Sequence, residues 1–139
     1  MSDRETPWDL TDQILHFPEG LPGFPHLVRF VVAELVEDGA FQELRSVEDP
    51  ETAMIVCVPW LFFPDYAPVV ADEDQQDLGL ETAEDAVVFV PVTVDGEARQ
   101  VTLNLLGPFV VNGRTRRGRQ LVLADSDYPV RAPIELPSF

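Results

Sequence analysis

His16, His26 and Cys57 are the residues of this chain best equipped for metal or nucleophilic chemistry. A structural zinc site draws four ligands from Cys and His, and one cysteine with two histidines falls short of that set. Asp72-Glu73-Asp74 runs into Gln75-Gln76-Asp77 with no Gly for the sharp turn of a calcium loop. Cys57 lies in an apolar stretch and reads as a buried, inert thiol. Ser126, between Asp125 and Asp127, reads as a turn residue, because Asp and Ser bond their own backbone there. Adjacent carboxylates such as Glu48-Asp49 and Glu84-Asp85 are the raw material of acid–base catalysis. In a chain with 25 acids, however, they read as solvated surface. Glu19-Gly20-Leu21-Pro22-Gly23 lacks the strand–loop–helix setting of a phosphate loop. An enzyme would need convergent polar groups around His16 or His26. The chain reads as a non-enzyme without cofactor or metal.

Charge is more informative. The 139 residues carry 25 acids against 9 basic residues, all of them Arg, for a net charge of −16. Residues 1–97 hold 22 acids and 3 Arg, a net of −19, whereas residues 98–139 hold 3 acids and 6 Arg, a net of +3. So acidic a body is repelled by phosphate backbones and by anionic membranes. It suits a basic protein partner, since complementary potentials speed encounter and suppress wrong partners. The acidic N-terminus does not resemble a signal peptide, and no apolar run approaches the ~18 residues of a membrane span. With one cysteine there is no internal disulfide framework. The expected compartment is the cytoplasm.

The elements that would carry these residues are strands. Residues 1–12 read as a loosely ordered lead-in, and 13–139 as a single domain. Strands are expected at Gln13–Phe17, Leu27–Val36, Phe41–Val47 and Ala53–Val58, with a dense Pro/Gly turn at residues 18–25 and a hairpin at Glu37-Asp38-Gly39. Asp72 with Gln75 has the form of a capping box for a short helix over 73–78, ended by Gly79. Thr82–Asp85 offers a further turn. Ala86–Val94 is apolar enough to be buried on both faces. After the Asp95-Gly96 turn, Val101, Leu103 and Leu105 alternate with Gln100, Thr102 and Asn104. Phe109–Val111 and Gln120–Ala124 flank an Arg-rich turn. Short strands at hairpin spacing predict an all-β fold, a small antiparallel barrel-like or sandwich domain with one or two short helical turns.

Two segments stand out for binding. Trp60–Tyr66 reads either as a loop whose rings close the core or as an aromatic patch facing a partner. Arg114-Thr115-Arg116-Arg117-Gly118-Arg119 reads as a solvated hairpin tip that answers acids elsewhere, or as a weak RNA contact. Candidate contact residues are Phe62, Phe63 and Tyr66 for apolar contact, and Asp65, Asp72, Glu73 and Asp74 for electrostatic contact.

The order of motifs resembles the FliW family of flagellar assembly factors. It is carried by Phe17-Pro18-Glu19-Gly20-Leu21-Pro22-Gly23-Phe24, Leu44-Arg45-Ser46-Val47-Glu48 and Val58-Pro59 leading to Phe63-Pro64-Asp65-Tyr66. Val101-Thr102-Leu103-Asn104-Leu105-Leu106-Gly107-Pro108 with Val111-Asn112, and Gly118–Leu123 with Asp125-Ser126-Asp127-Tyr128 and Arg131-Ala132-Pro133, complete it. Arg45 stands where the family often has Gln. The resemblance implies a non-enzymatic regulator with two alternative partners, flagellin and the RNA-binding translational repressor CsrA. Freed from exported flagellin, such a protein would bind CsrA non-competitively with RNA and relieve repression. The motif residues Gly20, Gly23, Asn104, Leu105 and Pro108 read as architecture. Charge alone also fits an acidic β-barrel adaptor for another basic protein.

Overall fold

The computed structural model describes residues 13–21, 23–35, 40–97, 99–124 and 126–135. The lead-in 1–12 and the hairpin Glu37-Asp38-Gly39 lie outside the described residues. Among those described are nine strands: β1 (Ile14–His16), β2 (Arg29–Glu34), β3 (Phe41–Ser46), β4 (Ala53–Cys57), β5 (Ala86–Asp95), β6 (Gln100–Leu103), β7 (Phe109–Asn112), β8 (Gly118–Gln120) and β9 (Ala132–Ile134). One helix, α1 (Asp72–Leu78), and single 3₁₀ turns at Pro59–Leu61 and Ala83–Asp85 complete the elements. The fold is all-β and antiparallel, as the strand spacing predicts.

β5 is the branch point. Its first half pairs with β7, from Ala86↔Asn112 to Phe89↔Phe109, and its second half with β6, from Val92↔Leu103 to Asp95↔Gln100. Its other edge meets β4 at Val56↔Pro91 and Cys57↔Val90. β1 to β4 follow as a meander, β8 pairs with β7, and β9 with β6. A single parallel bridge, His16↔Arg117, then brings β1 against the start of β8. The circuit β1-β2-β3-β4-β5-β7-β8 is barrel-like, joined at that seam by one bridge rather than by a ladder.

Alternation along β5 feeds two cores. Val87 and Phe89 point into the barrel with Leu15, Phe17, Phe30, Leu44 and Phe109. There Phe17 meets Phe30 and Phe109 edge-on, with centroids 5.8 and 5.9 Å away. Val90 belongs to the second core with Cys57, Tyr66, Leu78, Leu103 and Leu121, and Val88 packs against it. Burial on both faces therefore holds at Val87–Val90, while Thr93–Asp95 is exposed.

Four expectations are corrected. β6 stops at Leu103, and Asn104 leaves the ladder because its Oδ1 accepts the N–H groups of Leu106 and Gly107 at 3.1 and 2.9 Å. Thr102, on the face that alternates with Val101 and Leu103 and reads as wet or hydrogen-bonded, is buried. The β8 ladder is Gly118–Gln120, not Gln120–Ala124, and Leu121–Ala124 is not a paired strand. Finally, no capping box forms: α1 begins at Asp72 behind Ala71 without a side-chain cap. The Gln75 amide instead donates to the Val70 carbonyl oxygen at 2.8 Å. Its C-terminus does end on left-handed Gly79 with φ 68°.

Burial pushes the Cys57 thiol from its ordinary 9.0 up to about 12. The thiol therefore stays protonated in the folded protein at pH 8, and thiolate-directed alkylation is expected only on unfolding. A raised folded pKa also fixes the sign of the linkage. This contribution is intact below pH 9 and falls as pH rises toward 12, because the unfolded chain loses its proton first. Alkylation rates with and without urea check the first point, and urea midpoints at pH 8 and 10 the second.

Candidate partner-binding surface

The aromatic segment is pinned from inside. The Tyr66 hydroxyl donates to the Leu105 carbonyl oxygen at 2.6 Å, and Trp60 Nε1–H donates to the Tyr66 carbonyl oxygen at 2.7 Å. The Tyr66 ring stands edge-on to Tyr128 at 4.7 Å. Burial, with Tyr128 beside it, pushes the Tyr66 hydroxyl above its ordinary pKa. Tyr66 is only 5% exposed, so its ring offers no docking surface. Phe62 and Phe63 are half-buried against the second core, and Phe62 lies 5.8 Å from Phe41. The exposed apolar residues here are Trp60 (39%) and Leu61 (58%), which ring type alone does not single out. Tyr66, Phe62 and Phe63 thus turn inward, as the core-closing reading expects, whereas Trp60 and Leu61 turn outward.

The acidic candidates also divide. Asp65, Asp72 and Glu73 are exposed and form no ion pair with any described residue. Asp74 is different. Its Oδ1 lies 3.0 Å from Arg119 Nη1, which also reaches Asp77 at 2.9 Å, while Arg119 Nη2 reaches Glu19 at 3.1 Å. Arg114 pairs with Glu81 at 3.3 Å and Asp85 at 3.4 Å. The Arg-rich turn answers acids elsewhere in the chain, as its solvated-tip reading expects, and it does so against α1. It therefore borders the acidic helix rather than standing apart from it.

Asn112 completes this junction and carries no chemical signal in the sequence beyond its place in a motif. Fully buried at the end of β7, its amide donates to the carbonyl oxygens of Leu78 and Gly79 at 2.9 and 3.2 Å. Its Oδ1 accepts the N–H groups of Arg114 and Thr115 at 2.9 and 3.2 Å. The tip of the β7–β8 hairpin and the C-terminus of α1 are thus tied through one side chain. Arg119 holds the inner carboxylates, and Asp72 and Glu73 are left facing solvent. Elsewhere, the Arg29 guanidinium donates to Glu48 at 3.0 Å and holds that carboxyl below its ordinary value.

Two grooves flank residues 67–71. One, of about 470 Å³, includes Trp60, Pro68, Val70, Leu80 and Glu81 in its lining. The other, of about 350 Å³, includes Val69, Asp74, Val122 and Tyr128. His16 and His26 are both exposed. Among the described residues no group of three or more His, Cys, Asp or Glu is placed to hold a metal ion. No described helix is long and apolar enough to cross a membrane.

The family model for the FliW protein matches residues 7–134. A flagellar assembly factor FliW of Moorella thermoacetica is 39% identical over 127 residues, spanning 91% of this chain and 80% of the relative. That of Symbiobacterium thermophilum is 38% identical over 124 residues, covering 88% and 90%. Among solved structures, a crystal structure of the flagellar assembly factor FliW superposes with a TM-score of 0.79 at 27% identity. It covers 96% of this chain and 89% of its own. An antiparallel all-β fold, the Pro/Gly turn and the Tyr66 and Asn112 anchors are thus set in a chain that matches one family almost from end to end: it belongs to the FliW family of flagellar assembly factors.

Proposed function

We propose that this protein is a non-enzymatic cytoplasmic regulator that binds flagellin and antagonises the translational repressor CsrA. The observation that carries this reading is the family match along residues 7–134. The electrostatics support it independently. A protein that grips RNA must carry positive potential. A body of net charge −16 attracts it and opposes RNA nearby by like-charge repulsion. On this chain the free carboxylates Asp65, Asp72 and Glu73 form the electrostatic part of the contact. Asp74 is less available to a partner because Arg119 already holds it, together with Asp77 and Glu19. For flagellin the fitting contact is apolar, with a helical segment laid against Trp60, Leu61 and the half-buried Phe62 and Phe63.

Size exclusion and calorimetry with CsrA and flagellin from the same source test the proposal. Each partner alone is expected to form a complex. If the two exclude one another through coupling rather than overlap, each weakens the other by the same factor, about 5- to 150-fold for a coupling of ~1–3 kcal/mol. Binding to neither would remove the reading. Recovery of a different basic protein, with neither CsrA nor flagellin, would favour an acidic adaptor instead.

A further inference from the structure

Beyond β8 the backbone runs extended through Leu121–Leu123 and turns at Ala124, whose N–H donates to the Val122 carbonyl oxygen at 2.9 Å, so the outward group Val122 leaves unpaired is its N–H. Leu121 N–H donates to the Pro108 carbonyl oxygen at 2.8 Å and Leu123 N–H to that of Leu106 at 2.9 Å. Both side chains are buried in the second core. In extended chain the N–H groups of successive residues point to opposite edges. The Val122 N–H is therefore turned away from residues 106–108, and it has no partner among the described residues. The Val122 side chain is 72% exposed.

Across the groove of about 350 Å³ lies residues 67–71. Val69 is 80% exposed there, and neither its N–H nor its carbonyl oxygen has a partner among the described residues. At one side the Tyr128 hydroxyl accepts the Ala67 N–H at 2.9 Å, and its own proton has no described acceptor. The walls are small and apolar: Ala67, Val69 and Ala71 on one side, Val122 and Ala124 on the other. The rim is acidic. Asp72 and Glu73 follow Ala71 directly, and Asp127, also exposed, adjoins Tyr128.

We infer that this groove takes an extended, basic segment of a partner polypeptide, which pairs as an added strand with the backbone at Val122 and Val69. Two features select that occupant. Main-chain donors and an acceptor without internal partners are what strand addition uses, and alternate side chains then supply specificity. Small apolar walls under a carboxylate rim match a segment that alternates short aliphatic residues with Arg or Lys. The inference stands apart from the identity of CsrA or flagellin as partner, since it rests on the backbone of this edge.

The test uses the whole protein and a capped hexapeptide, acetyl-Arg-Val-Arg-Val-Arg-Val-amide, followed by amide-resolved NMR titration. Saturable shifts are expected at Val69, Val122 and Ala124, with the Val122 amide gaining protection from exchange. An analogue N-methylated at alternate residues loses donors but keeps its charge, and it should bind at least about tenfold more weakly. Val122→Pro, which deletes the outward N–H, should weaken the unmodified peptide similarly, while Val122→Thr should not. If Val122→Pro fails to fold, the N-methylated analogue still decides. Equal binding of both peptides, shifts confined to α1, or no saturable binding would each overturn the inference.

Discussion

Replacing Gly20 with Ala is expected to destabilise the protein by about 3 kcal/mol or more, the sum of a left-handed backbone penalty and a steric overlap. Gly20 has φ 74°, and a Cβ there would lie 2.5 Å from both the Phe24 carbonyl oxygen and the Pro25 Cα. These are backbone atoms of the same tight turn, and they have nowhere to go. The turn is closed by the Gly20 N–H donating to the Phe17 carbonyl oxygen at 2.8 Å and the Phe24 N–H donating to that of Leu21 at 2.8 Å. Phe17, at its start, is the ring that joins Phe30 and Phe109 in the barrel core. A displaced turn would therefore pull on that cluster. Gly23 is the internal control. It has φ 82°, but a Cβ there meets nothing within 4 Å. Gly23→Ala should cost only the backbone term, about 1 kcal/mol. Urea unfolding of both variants checks the contrast; equal losses would show that the overlap at Gly20 is relieved.

Asn112→Ala is the second large effect, with an expected loss of about 3 kcal/mol from buried polar groups left without partners. Four hydrogen bonds go at once: two from the amide to the Leu78 and Gly79 carbonyl oxygens, and two into Oδ1 from Arg114 and Thr115. The consequence is local as well as global. α1 loses the hydrogen-bonded tie at its C-terminus and keeps the buried Leu78 side chain and the Arg119 ion pairs with Asp74 and Asp77. Hydrogen exchange in α1 should accelerate more than exchange in β2 or β3. Asn112→Asp separates the two halves of the junction, because it retains the acceptor for Arg114 and Thr115 and loses the donors toward α1. Its exchange defect should therefore concentrate in α1 and spare the hairpin tip.

Much of this architecture is readable from residue order, and the parts that are not share a cause. Phe30 and Val32 alternate with exposed or half-buried neighbours in β2, and Gly79 marks the end of α1, because both signals are local. β9 is silent in the sequence. It is three residues long and includes Pro133, which an edge strand tolerates because one side of its backbone needs no ladder. The Asp72 cap fails since Gln75 reaches Val70 instead, a competition between equally short-range partners that composition does not rank. Among the binding candidates, the inward Tyr66 and the ion-paired Asp74 depend on Leu105 and Arg119, far along the chain. Asp77 and Arg119 alone are 42 residues apart. A carboxylate's availability is set by which cation the fold brings to it, and local spacing carries no record of that.

On the function proposed above, recognition of a basic regulator runs through carboxylates the fold leaves unpaired. Its most direct test is calorimetric titration of CsrA against the wild-type protein and against Asp72→Arg/Glu73→Arg across a range of salt concentrations. The wild type should bind and weaken steadily as salt rises. The variant should bind at least about tenfold more weakly at low salt and show a shallower salt dependence. Its unfolding midpoint should stay near that of the wild type, because Asp72 and Glu73 are exposed and form no ion pair with any described residue. Affinity and salt dependence unchanged by the double substitution would show that recognition does not run through these carboxylates.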